Sequence, residues 1–396
     1  MKNLRSAFLL FLIGCCFPLL AQQAKTSKRK IPLIVEVQYS GGKVVPVYPH
    51  FPHTTFANAV ELHIGYETNG SKVWHRLFNY PRLGVSFLYQ NLGNNRVMGQ
   101  QISVIPTVYF STARKENAKV FAEIRYGLGL ACFTRPYDSI SNPDNKGAGS
   151  YATWQFTVGA NLRWNFSRYA SFQLGGIWYH ASNAHTQLPN VGVNNFAIYA
   201  GILAYPFGRF ARAHDKDTAA LDKNWHVNFR FGEGWQERGS AFGHDTKTKF
   251  PVYCASVYAS KRLAKILMAK VGFTYRYYSM YESFLKDFSV TDSKLTLKSS
   301  AFVLFIGTEF MLGHFSISLE AGVNVYKPAY QPFYNHYEKS SAFNYYTKQY
   351  IATRFGANYY LFDPYLHPRN NVFIGAFVNA NLGQAEFFEF NVGYVF

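Results

Sequence analysis

Cysteine is scarce in this chain and the little there is carries no pattern. Of four cysteines, Cys15 and Cys16 lie in an apolar leader, and Cys132 and Cys254 stand in neither a CxxC nor a zinc-type spacing. No disulfide framework or metal site can be read from them, and no metal or cofactor is expected. Past the leader, no run of about 18 apolar residues free of charge occurs, which excludes a membrane-spanning helix. Any insertion into a bilayer must use strands. Acidic residues are few, 22 against 40 Lys and Arg, for a formal charge of +18. Such a balance favours anionic surfaces.

The leader itself has Lys2 and Arg5, an apolar stretch over 7–20, and then Ala21-Gln22-Gln23. Residues 1–21 are expected to be a cleavable secretory signal, with a lipoprotein box at Leu12-Ile13-Gly14-Cys15 as the competing reading. Without Lys2 and Arg5 the remaining chain carries +16, from 18 − 2. Nucleic acid is the ordinary partner of so basic a protein, but an exported chain seldom meets it, and none is expected.

What the chain has in quantity is aromatic and β-branched residues, in segments separated by Asn, Gly, Asp and Lys turns. Strands are predicted over 58–68, 81–91, 100–112, 119–133, 151–166, 169–180 and 194–205. Further strands follow over 225–235, 251–263, 266–279, 299–312, 315–327, 344–362, 371–382 and 386–396, with a first at 31–39. Many are longer than soluble strands and suit a tilted bilayer crossing. In 151–166 one parity carries Thr153, Gln155, Thr157, Asn161 and Arg163, and the other Trp154, Phe156, Val158, Leu162 and Trp164. One face therefore wants polar packing and the other lipid. The chain ends on Phe396, with Tyr394, Val392 and Phe390 on the same parity, resembling the terminal strand of outer-membrane barrels.

The fold class expected is all-β, a transmembrane antiparallel up-and-down β-barrel of about 14–16 strands, located in the bacterial outer membrane. Residues 22–207 form a first half, 208–223 a charged loop or linker, and 224–396 a second half. A loose echo between Tyr126–Tyr137 and Ala321–Tyr330 raises the alternative of two tandem eight-stranded units. One large barrel is favoured, since a continuous sheet needs a single closing seam.

Chemistry concentrates in 172–196. His180 and Ser182 share the parity of Phe172, Leu174 and Trp178, so two polar side chains emerge from an otherwise apolar face. Side-chain bases two residues apart on one strand face lie roughly 6.5–7 Å from each other, close enough for an imidazole to lean toward a hydroxyl and take its proton. Backbone N–H groups beyond Ser182, with the side chain of Asn183, could stabilise an oxyanion. His185 is a weaker candidate, for lipid phosphate or for assisting His180.

His180-Ala-Ser182-Asn183-Ala184 followed by Leu188-Pro189-Asn190-Val-Gly192 resembles the signature of the PagL-type lipid A 3-O-deacylases, over roughly residues 31–207. That resemblance implies an eight-stranded outer-membrane barrel acting on lipid A of lipopolysaccharide without metal or cofactor. It implies His180 as base, Ser182 as nucleophile, and Asn183, Ala184 and Asn190 at the oxyanion and substrate site. The family's third member is a Glu, where this chain has Asn194 or its neighbour Asn195. An amide can still fix the imidazole tautomer, though it stabilises an imidazolium less than a carboxylate. The expectation is a cofactor-independent ester hydrolase removing an acyl chain, the 3-position hydroxyacyl by resemblance. The alternative is a weak or inactive barrel serving as a pore or lipid-binding protein, its lumen lined by His226, Asn228 and Arg230.

Overall fold

Among the described residues the alternation is realised as sixteen antiparallel strands. The computed structural model describes residues 33–113, 118–209, 221–288, 293–339 and 341–396. The signal-like leader and residues 210–220 of the charged connection lie outside the described residues. The strands are β1 Leu33–Val44, β2 Ala57–Glu67, β3 Arg82–Asn91, β4 Gln100–Ser111, β5 Val120–Phe133, β6 Ala152–Trp164, β7 Ala170–Ser182 and β8 Val193–Ala204. They continue as β9 Trp225–Ser240, β10 Gly243–Ala264, β11 Leu267–Tyr278, β12 Ser300–Leu312, β13 Phe315–Tyr326, β14 Ile351–Tyr360, β15 Asn371–Asn381 and β16 Gln384–Val395. No described helix is long and apolar enough to cross a membrane.

The sheet closes twice. β8 pairs back onto β1, and β16 pairs back onto β9, giving two eight-stranded barrels. The antiparallel barrel class and the strand count stand as expected, but the favoured single large barrel gives way to the tandem alternative. The reason lies in the inward-facing charges. An eight-stranded barrel is just wide enough for side chains to meet across its middle. In the first barrel Arg82 pairs with Glu36 and, at 3.1 Å, with Glu123; Arg125 pairs with Glu61, and Arg163 lies 3.1 Å from Glu123. In the second, Glu320 accepts from Arg230 at 2.8 Å, Lys270 at 2.9 Å and Arg354 at 3.3 Å, while Arg354 also reaches Glu389 at 2.8 Å. Each half neutralises itself across its own bore, which a sixteen-stranded ring would hold too wide apart. The echo noted above falls on β5 and β13, the fifth strand of each barrel.

These ion pairs also fill the interiors. Asn228 and Arg230 face inward as the pore reading supposed, yet Asn228 donates to Ser260 Oγ at 2.9 Å and Arg230 is tied to Glu320. His226 sits at the strand end, bonded to Asp222 at 2.7 Å and to the Phe396 carbonyl at 2.9 Å. Outside, the opposite parity is apolar: Leu162, Trp164, Leu174, Ile198 and Ile202 are exposed on the first barrel, and Phe231, Leu304 and Ile306 on the second. That is the two-sided pattern of a barrel wall in lipid.

One further expectation changes. Residues 344–350, read as the start of a strand over 344–362, instead belong to the helix Ala342–Tyr350, capped by Ser341 Oγ, which accepts from the Asn344 N–H. Aromatic content mimicked β-propensity there, while the Ser cap satisfies a helix-end donor that a strand would not present. The chain turns into β14 only at Ile351.

Candidate functional site

The site is built at the end of β7, beside the loop 183–192 that leads into β8. Its strand end is the one away from the start of β1, where the longest connection within each barrel also lies, 134–151 in the first and 327–350 in the second. Long loops mark the outward-facing end of an outer-membrane barrel. His180 and Ser182 are half-buried on the outward parity, while Tyr179 and Ala181 point into the barrel core.

Register sets the third residue. His180 stands directly opposite Asn194 in the β7–β8 ladder. Asn194 shares the outward parity of exposed Phe196 and Ile198, whereas Asn195 points inward and is buried. Of the two asparagines left open by the sequence, the structure brings Asn194 to the imidazole, with 2.8 Å between His180 Nδ1 and Asn194 Oδ1.

The protonation pattern of the imidazole follows from its neighbour. Trp178 Nε1 donates to Asn194 Oδ1 at 3.1 Å. An indole nitrogen is only a donor, so the amide atom between Trp178 and His180 must be the oxygen. His180 Nδ1 must then carry the hydrogen and donate to that oxygen, which leaves Nε2 with its lone pair as a base. Trp178, two residues before His180 on the same face, is a member of the site that the sequence reading passed over. Its period-two spacing was the available signal.

A second pinned amide stands at Ser182. The Asn183 backbone N–H donates to Asn190 Oδ1 at 3.2 Å, which turns Asn190 Nδ2 toward Ser182 Oγ at 2.8 Å. The Ala184 N–H also donates to Ser182 Oγ, at 3.2 Å. Ala184 and His185 adopt left-handed backbone, φ 51° and 62°, and Ala184 directs its N–H back at the hydroxyl. Both contacts are donations to the oxygen, so neither uses the hydroxyl proton. No described hydrogen bond joins His180 to Ser182; bonds of this kind are commonly loose before substrate binds. The Asn183 side chain takes another direction, donating from Nδ2 to Ser150 Oγ at 3.0 Å and to the Gln187 carbonyl at 2.7 Å. It folds the loop, and the donors that reach Ser182 are Asn190 and Ala184.

Around the pair, Trp154 is the register partner of Ser182 and Phe156 that of His180. Trp154 stacks on Phe388 of β16 at 3.9 Å, and Phe156 meets Phe355 of β14 edge-on at 5.5 Å, so the second barrel walls one side. His185 lies in the loop outside the membrane-spanning strands. Burial first, and the Lys348 ammonium second, push its imidazole down to about 4. It is uncharged at neutral pH and makes a poor phosphate ligand or proton partner. Among the described residues, no group of three or more His, Cys, Asp or Glu is placed to hold a metal ion.

Fold and surface together define an outer-membrane β-barrel protein with a polar cluster on its lipid-facing wall. Residues 58–202 match the family described as Lipid A 3-O-deacylase (PagL), and residues 223–396 match that described as Acyloxyacyl hydrolase, C-terminal domain. The two matches fall on separate halves of the chain, so its first barrel resembles the PagL-type lipid A 3-O-deacylases and its second the C-terminal domain of acyloxyacyl hydrolases. Similar solved structures include the outer membrane enzyme PagL, 17% identical over 42% of this chain and 97% of that one, TM-score 0.30. Neisserial surface protein A is 10% identical over 44% of this chain and 97% of its own, also at TM-score 0.30. The beta domain of the Bordetella autotransporter BrkA is 7% identical over 92% and 99%, TM-score 0.23. A comparison with curated proteins found no match.

Proposed function

We propose that this protein is a serine esterase that removes an acyl chain from lipid A within the outer membrane, the 3-O-hydroxyacyl chain being the favoured target. The observation that carries the reading is the pinned His180. Trp178 and Asn194 together leave Nε2 as a bare base two residues from a serine on the same lipid-exposed face. A lipid ester can reach that face sideways from the bilayer without leaving it.

In this reading His180 Nε2 takes the Ser182 proton as Oγ bonds to the ester carbonyl carbon. The carbonyl π bond opens, and the oxyanion takes hydrogen bonds from Asn190 Nδ2 and the Ala184 N–H, donors already directed at Oγ. As the tetrahedral centre collapses, the sugar C–O oxygen leaves as alkoxide and receives the proton from His180. Water, deprotonated by the same imidazole, then attacks the acyl-serine; the acyl C–Oγ bond breaks, Ser182 Oγ recovers the proton from His180, and the fatty acid is released. Asn194 acts through His180 as a positioning residue. Basic residues left over at neutral pH suit a substrate whose headgroup carries phosphates.

The test uses purified protein in detergent micelles supplied with lipid A, with released hydroxy fatty acid read by mass spectrometry. Wild type should release one acyl species, and Ser182→Ala and His180→Ala should lose release by at least about 10³-fold while remaining folded. Equal release by all three would contradict the mechanism.

A further inference from the structure

We infer that the second barrel is a working part of this site, and that Glu237 on β9 is a positioning residue which holds the loop presenting Asn190 to Ser182. The inference rests on the reading of Ser182 as nucleophile.

Asn190 is placed by the backbone on either side of it. After Asn190 the chain is held by its own barrel: the Val191 N–H donates to the Lys146 carbonyl and the Gly192 N–H to the Gly147 carbonyl, each at 3.0 Å. Up to and including Asn190 the backbone is tied to the other barrel. The Leu188 N–H donates to the Glu237 carboxylate at 2.7 Å, and the Glu237 N–H donates to the His185 carbonyl at 3.0 Å. The Asn190 N–H itself donates to the carbonyl of Ala241, in the β9–β10 turn, at 2.9 Å. Pro189, between the tied residues, has no N–H to offer. Leu188, Asn190 and Glu237 are all buried, so these bonds have little competition from water.

The geometry makes Glu237 a two-handed clamp, accepting with its carboxylate and donating with its backbone, and only the carboxylate hand depends on the side chain. Two independent contacts continue the same seam. Trp154, opposite Ser182 in the ladder, lies on Phe388, and Phe388 is buried although it shares the outward parity of exposed Val392. At the other end of the barrels Trp74, in the β2–β3 connection, is buried among Met311, Tyr360 and Tyr365 of the second barrel. The two barrels are therefore joined at both ends, and the upper joint includes the loop that arms the serine. A carboxylate-to-amide bond is charge-assisted and geometrically demanding, which suits a device that sets one side chain to within a fraction of an ångström.

The test compares full-length Glu237→Ala and Glu237→Gln with wild type. Hydrogen–deuterium exchange over 183–192 reads the docking, and kcat and KM for lipid A read its consequence. In Glu237→Ala, exchange at Leu188 and Asn190 should quicken at least tenfold and kcat should fall about tenfold, with KM changed less than about twofold. Glu237→Gln keeps an acceptor oxygen and should restore both. Should Glu237→Ala fail to fold, Glu237→Asp, one methylene too short to reach Leu188, carries the same expectation. Unchanged exchange overturns the docking, and quickened exchange with unchanged kcat overturns the positioning role. A wild type that releases no fatty acid overturns the esterase reading and the positioning role with it, whereas the exchange experiment still decides the docking.

Discussion

Replacing Asn194 probes the step on which the imidazole's role depends. In Asn194→Leu, of similar bulk, the oxygen that accepts from both His180 Nδ1 and Trp178 Nε1 is gone. The His180 bond is worth about 0.5–1.5 kcal/mol net, so its loss alone erodes the preference for the Nδ1–H tautomer by up to about tenfold. An imidazole free to rotate also loses part of the 10²–10⁴-fold that a positioned base supplies. The expected result is a kcat about 10²-fold below wild type, or about 2.7 kcal/mol, with KM within about twofold, since the missing interaction matters chiefly in the transition state. Asn194→Asp should move the other way. A carboxylate makes a charge-assisted bond roughly twice as strong, and an additional kcal/mol is about fivefold in rate. The assay is release of hydroxy fatty acid from lipid A in micelles, alongside the gel-mobility shift that distinguishes folded from unfolded barrel. If Asn194→Leu keeps full kcat while Ser182→Ala abolishes it, the tautomer argument is refuted.

Three other outcomes are expected. Asn190→Ala removes the donor 2.8 Å from Ser182 Oγ and should lower kcat by about 10²–10³-fold in the same assay, with the barrel intact. Gly192→Ala should lower activity without unfolding the protein: φ is +87° there and a Cβ would meet His180 Cε1 at 3.0 Å, so the base must shift. Glu320→Ala leaves Arg230, Lys270 and Arg354 short of their shared carboxylate and should destabilise the second barrel by about 3–5 kcal/mol, read from its urea midpoint; an unchanged midpoint would mean the bore ion pairs contribute little.

Much of the site was legible because a strand repeats every two residues. The parity of Phe172, Leu174 and Trp178 is enough to place His180 and Ser182 on the lipid face. The same rule could have chosen Asn194 over Asn195, since Phe196 and Ile198 mark the outward parity of β8. That choice was hidden because a ten-residue loop separates the strands, and loop geometry fixes which residue opposes His180. Closure was less legible. Whether β8 returns to β1 or continues to β9 depends on pairing between residues such as Gln38 and Gly201, far apart in sequence, with no local mark. Only the inward Arg and Glu residues recorded the bore diameter, and their pairing becomes visible once partners are known. The docking of the loop on Glu237 and Ala241 likewise joins segments about fifty residues apart, through backbone groups that every residue possesses and a single carboxylate that no local pattern marks.

The central claim, that His180 and Ser182 act on lipid A in the membrane that holds them, is tested most directly by mass spectrometry of lipid A from cells expressing wild type, Ser182→Ala or His180→Ala. The account predicts lipid A lighter by one hydroxyacyl chain with wild type alone, and unshortened lipid A with both variants at equal amounts of folded protein. Lipid A of the same mass in all three would contradict it.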